Sequence, residues 1–192
     1  ANVIFFAVQW ATGENVFSSS LDSHLYHQDW SELARSSLSR RLQANHMTVA
    51  QYQPAFDRAV VLNAKSLILL MTFAFALLLP LAFFRERRPF MIHVVFSLHL
   101  YTFLLLLFCL ALLAARLSAS LGFGGADTPM VDNVLSIANL TACAVYIYLA
   151  IRPVYGAKGM RRVAEATVLA LAVAAIALGY RFALFFITLY AT

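Results

Sequence analysis

The sequence predicts an all-α, polytopic transmembrane helix bundle, and three observations carry that prediction. Of its 192 residues, 62% are hydrophobic and only 12% charged, whereas a water-soluble domain is nearer half apolar and a quarter charged. Mean hydropathy is +0.77. The apolar residues gather into four runs long enough to cross a bilayer, which takes about 20 residues. A soluble single domain is excluded, and so is a disordered chain, which would be charged and poor in aromatics.

The elements follow in order. Residues 1–10, ANVIFFAVQW, read as the end of a truncated transmembrane helix, because ten residues rise only about 15 Å of a hydrocarbon core roughly 30 Å thick. Residues 11–60 are the least membrane-like and are expected to form a partly helical extracytoplasmic segment. Within it, Asp29-Trp30-Ser31-Glu32 has the form of a capping box with Asp29 as N-cap. Trp30, Leu33, Ala34, Leu38 and Leu42 then share one face, with Arg35, Arg40 and Arg41 largely elsewhere. Such an amphipathic helix suits either the headgroup surface or the outer ends of a bundle. Thr48 with Gln51 offers a second cap, and Pro54 is expected in the first turn of the helix that follows.

Four complete spans make up residues 61–192. The first, 62–84, continues that helix through Lys65 and stops at Arg85-Glu86-Arg87-Arg88-Pro89. The second, 90–115, is closed by Gly122-Phe123-Gly124-Gly125 and Pro129. The third, 130–151, ends at Arg152-Pro153, and the fourth, 163–189, follows Lys158, Arg161 and Arg162. Lys and Arg number three in loop 85–89 and four in loop 152–162, whereas the loop between the second and third spans holds only Arg116. The positive-inside rule makes the two basic loops cytoplasmic, with 11–60 and the C-terminus periplasmic. The net charge of +5 therefore reports membrane orientation and no nucleic-acid partner.

Ionisable residues inside a membrane are functional candidates by default. His93 falls about one turn inside the cytoplasmic boundary and His99 near mid-depth. Their six-residue offset separates them by roughly 120° and about 9 Å along the axis, so they do not chelate one metal together. Each is a candidate axial haem ligand with a partner from elsewhere. Depth matching pairs His93 with Glu165 and His99 with Asn139. Lys65 and Arg181 fall near the outer interface, where long side chains snorkel, and make a candidate anion site. In the outer segment, His24 and His27, with Asp22, Asp29 and the more distant His46, form a candidate metal pair, although the spacing matches no strong zinc motif. Tyr146, Tyr148, Tyr155 and Tyr180 read as interface or packing residues. Cys109 and Cys143 form neither a metal pair nor a disulfide framework.

No GxSxG, HExxH, P-loop or GxGxxG pattern occurs, so nothing argues for an enzyme. The expectation is a non-catalytic integral membrane protein, an accessory or assembly subunit in contact with the lipid bilayer and with other membrane proteins. Small-residue surface such as Ala170, Ala172, Ala174, Ala175 and Ala177 motivates that expectation. Two alternatives stand beside it: a haem- or metal-binding subunit using His93 or His99, and a small-solute or lipid transporter using Lys65 and Arg181. The cofactor, if any, is unknown from sequence.

The arginine-rich loop followed by His93-Val94-Val95-Phe96-Ser97-Leu98-His99 resembles the bacterial multi-pass membrane family catalogued as domain of unknown function 3667. The opening ANVIFFAVQ, the run Asn63-Ala64-Lys65-Ser66-Leu67 and Val154-Tyr155-Gly156 add to the resemblance, which extends over nearly the whole chain. It implies a bacterial inner-membrane protein with no assigned activity. It also implies a preceding cysteine-containing, zinc-ribbon-like segment and the first half of the helix that begins here at Ala1. Members often carry a further histidine two positions after the one matching His99, where this chain has Tyr101.

Overall fold

Inside hydrocarbon every backbone N–H and C=O must be satisfied within its own segment, and long apolar runs answer that demand as helices. The computed structural model describes residues 2–12, 21–26, 30–121 and 129–192. Its helices are α1 (Asn2–Thr12), α2 (Leu21–Tyr26), α3 (Ser31–Asn45), α4 (Val49–Ala82), α5 (Phe90–Ser120), α6 (Pro129–Tyr155) and α7 (Gly159–Ala191), with a 3-10 turn at Phe84–Glu86. No strand occurs among the described residues. Three helices are long and apolar enough to cross a membrane: Phe90–Ser120, Asn133–Tyr155 within α6, and Gly159–Ala191. In α4 the apolar stretch among the described residues is Leu70–Ala82.

Several helix ends differ from the sequence reading, each for a local reason. The helix expected to start on Asp29 has Trp30 at its N-cap position, with no side-chain cap; Asp29 lies outside the described residues, as does the glycine-rich turn 122–125. Leu33, expected on the buried face of α3, is 58% exposed. The face that packs is instead Ser31, Ala34, Leu38 and the flank of Leu42, a run at helical spacing. The cap at Thr48 takes the expected form, because the Gln51 side chain accepts from the Thr48 N–H at 3.0 Å. Pro54, however, is the sixth residue of α4 rather than part of its first turn.

The third span does not stop at Pro153. Helix α6 runs two residues further, to Tyr155, carrying Pro153 in its last turn. The stop is made by Gly156, whose φ of 72° is a left-handed conformation. Its N–H bonds the Arg152 carbonyl at 2.9 Å, the usual satisfaction of a helix C-terminus. Proline's steric penalty is tolerated there because Tyr155 is held by tertiary contacts described below.

The chain divides into two compact units, 1–14 with 72–176, and 15–71 with 177–192. In the first, the core is built from rows of residues four apart: Phe75, Leu79 and Phe83; Phe96, Leu100 and Leu104; Cys143, Ile147, Ile151 and Tyr155. Rows at that spacing are the ridges by which helices interdigitate. Helix α1 packs against α5, with Phe5 fully buried. Both cysteines are free and buried.

In the second unit, Tyr52, Phe56, Val60 and Ala64 of α4 meet Tyr180, Leu184, Phe185 and Leu189 of α7, with Leu21, Leu25, Ala34 and Leu38 closing the cluster. The apolar face of α3 is thus buried in protein rather than turned to solvent or headgroups. Polar links run alongside. Tyr180 donates to the Ala64 carbonyl at 3.1 Å, and Asn63 to the Thr188 hydroxyl at 3.0 Å. Tyr52 donates to the Leu189 carbonyl at 3.2 Å. The Asp57 carboxylate accepts from the first N–H of α2, that of Leu21, at 3.0 Å, satisfying an orphan donor of a helix start.

Candidate functional site

The best-defined polar constellation lies in the first unit, where α5 begins and α6 ends. His93 is on the buried face of α5, one turn after Pro89 fixes the helix start. Its Nδ1 lies 2.8 Å from the Tyr155 hydroxyl. The two rings are nearly parallel, with centroids 5.5 Å apart. Tyr155 stacks on Phe83 at 3.8 Å and meets Phe96 edge-on. One turn along α5, Ser97 donates to the Thr72 carbonyl at 2.5 Å. A buried imidazole and a buried phenol therefore satisfy each other inside an aromatic sandwich, which is how polar groups are tolerated within a helix bundle.

Beside this pair the two basic loops are tied together. Arg161 reaches the Glu86 carboxylate at 2.9 Å and the Glu165 carboxylate at 2.6 Å. Arg162 donates to the Tyr148 carbonyl at 2.7 Å and lies over the Tyr148 ring at 3.7 Å. Loops 85–89 and 152–162, expected on one side of the membrane, thus occupy the same end of the unit.

The residues singled out by sequence are placed as follows. Glu165 serves Arg161, one turn earlier on its own helix, and His93 is held by Tyr155, so the expected His93–Glu165 pair is replaced by two others. His99 is exposed. Its Nδ1 lies 2.8 Å from the Val95 carbonyl of its own helix, not against Asn139, which is half-buried on α6. Because a carbonyl only accepts, Nδ1 is the donor in this contact. Lys65 lies on α4 with its side chain outside the described residues. Arg181 is half-buried on α7.

In the second unit His24 is fully buried. It lies among Phe185 at 5.0 Å, Trp30 at 6.2 Å and Phe56 at 6.3 Å between ring centroids. Neither ring nitrogen, nor the Trp30 indole N–H, has a hydrogen-bond partner among the described residues. Burial, and then the charge of Arg181, lower the His24 pKa to about 4, so it is neutral at physiological pH. His27, Asp22 and Asp29 add nothing here, because their side chains lie outside the described residues. No group of three metal-ligating side chains occurs among the described residues.

Tyr155 is the site residue that sequence reasoning missed in this role; its partner lies 62 residues away. Comparison with known protein families, curated proteins and solved structures finds no match for this chain.

Proposed function

We propose that this chain is a non-catalytic subunit of the bacterial inner membrane that packs against other membrane proteins as an accessory or assembly component. The observation that carries the proposal is His99. It lies within the apolar helix α5, is exposed, and has its Nδ1 bonded to the carbonyl one turn back on its own helix. A polar side chain inside a membrane is rarely left to lipid, so the face of α5 around His99 is read as covered by a partner helix that brings a polar group. In this reading α4 completes a fourth span, 62–84, α1 ends a fifth, and the basic loops face the cytoplasm. The resemblance to the family named above supports the bacterial inner membrane as its place.

A second reading rests on the same atom. A histidine whose Nδ1–H is bonded to a carbonyl has the arrangement of a metal- or haem-ligating imidazole. The full-length protein purified in mild detergent separates the two by absorption spectrum and native mass. A colourless protein that co-migrates stoichiometrically with another membrane protein, and loses it on His99→Leu, supports the accessory role. A Soret band lost with the same substitution replaces that role with cofactor binding. A colourless monomer rejects both.

A further inference from the structure

We propose that the basic end of the first unit is a binding surface for anionic lipid headgroups. Seven cations gather there: Arg85, Arg87, Arg88, Arg152, Lys158, Arg161 and Arg162. Among the described residues two carboxylates pair with them, Glu86 and Glu165, and both bind the same arginine, Arg161. Arg162 is taken up by Tyr148. The remaining five are exposed and have no ion pair among the described residues. The loops carrying them are drawn to one end by the Arg161–Glu86 bridge and by Tyr155, whose ring contacts join the end of α4, the start of α5 and the end of α6.

Position and composition select lipid over a soluble anion. The cations lie within a few residues of the start of α5, the end of α6 and the start of α7, where apolar helix gives way to the interface. Interleaved with them are large exposed apolar side chains: Phe84 at 71%, Met91 at 70% and Met160 at 82% exposure. Cations beside apolar side chains match a phosphate joined to acyl chains, whereas free phosphate has no use for the apolar half. Arg87 is held at φ 43°, a conformation that side-chain-bearing residues adopt at a cost. Each Lys or Arg near an anionic membrane surface strengthens attachment by about fivefold.

The test uses the full-length protein in mild detergent, titrated by native mass spectrometry with phosphatidylglycerol, phosphatidylcholine of equal chain length, and soluble glycerophosphate. Phosphatidylglycerol is expected to bind in preference to both. The triple variant Arg85→Gln, Arg88→Gln, Arg152→Gln is expected to lose on the order of a hundredfold in affinity, with most of it restored when the same positions are Lys. Equal binding of phosphatidylcholine overturns the proposal. So does competition by glycerophosphate at equal concentration, which would mark a soluble-anion site. An equal loss in the control triple Arg35→Gln, Arg40→Gln, Arg58→Gln also overturns it. Should the first triple fail to fold, Glu86→Gln decides: removing one carboxylate, and with it one of the two partners of Arg161, is expected to tighten phosphatidylglycerol about fivefold, and no change rejects the surface.

Discussion

Nδ1 of His93 and the hydroxyl of Tyr155 meet at 2.8 Å in the buried core of the first unit, and each is the other's hydrogen-bond partner. That reciprocity makes the pair sensitive to loss of either member. Tyr155→Phe keeps the ring stacked on Phe83 but leaves the imidazole Nδ1 without its partner, at a cost of about 1–3 kcal/mol. His93→Leu strands the phenol at a similar cost. The double variant is expected to lose less than the sum of the two. Thermal unfolding in detergent, followed by circular dichroism, reads all three; strict additivity would show that the contact contributes nothing.

His24 predicts a pH dependence of the same sign as that of a salt-bridged carboxylate, set in a higher pH window. Its pKa is about 4 in the fold against about 6.5 in an unfolded chain. Between these values the unfolded state binds the extra proton, so stability rises with pH through that window. Full stabilisation is present above about pH 6.5 and is lost as pH falls toward 4, by about 2 kcal/mol once solvent screening is allowed for. His24→Leu should flatten this part of the profile. A wild-type and variant difference that stays constant from pH 7 to pH 4 contradicts the assignment.

Two glycines should respond to alanine with opposite signs. Gly156 has a φ of 72°, so Gly156→Ala is expected to destabilise by about 1–2 kcal/mol, even though a Cβ there meets nothing within 4 Å. Gly179 lies inside α7 with equally open space and no positive φ. Gly179→Ala is expected to stabilise by about 0.5–1 kcal/mol. Melting temperatures that shift in the same direction would refute the backbone argument.

Phe185 is fully buried and packs on both His24 and Phe56 at 5.0 and 5.8 Å. Phe185→Ala is expected to cost about 3–5 kcal/mol. It should also open His24 to water, moving its titration toward 6.5, which NMR of the imidazole can follow. Titration unchanged from the wild type would mean that the aromatic wall does not set the His24 environment.

The three membrane-length helices were legible because hydrophobic runs of that length leave no other backbone solution. Their ends were less so. Pro153 looked like a terminus because local sterics favour one, yet the stacking of Tyr155 on Phe83 outweighs that preference. Site pairing was harder still. Depth along a helix follows from counting residues, and it placed Glu165 level with His93 and Asn139 level with His99. Which way each side chain turns depends on packing between helices. Glu165 turns to Arg161 on its own helix, while His93 turns to a tyrosine that depth matching had passed over. The burial of Ala34 and Leu38 was visible as an apolar stripe, but the same stripe suits lipid or protein, and only the facing aromatics of α4 and α7 decide between them.

The joint between α6 and α7 bears on biogenesis. Helices of 27 and 33 residues are separated by Gly156, Ala157 and Lys158, and the bend is made by left-handed glycines at 156 and 159. So tight an elbow leaves no room for one arm to be translocated and the other to wait. Under the topology proposed above, the two arms enter the bilayer as a hairpin, with the cations around the bend on the side where synthesis occurs.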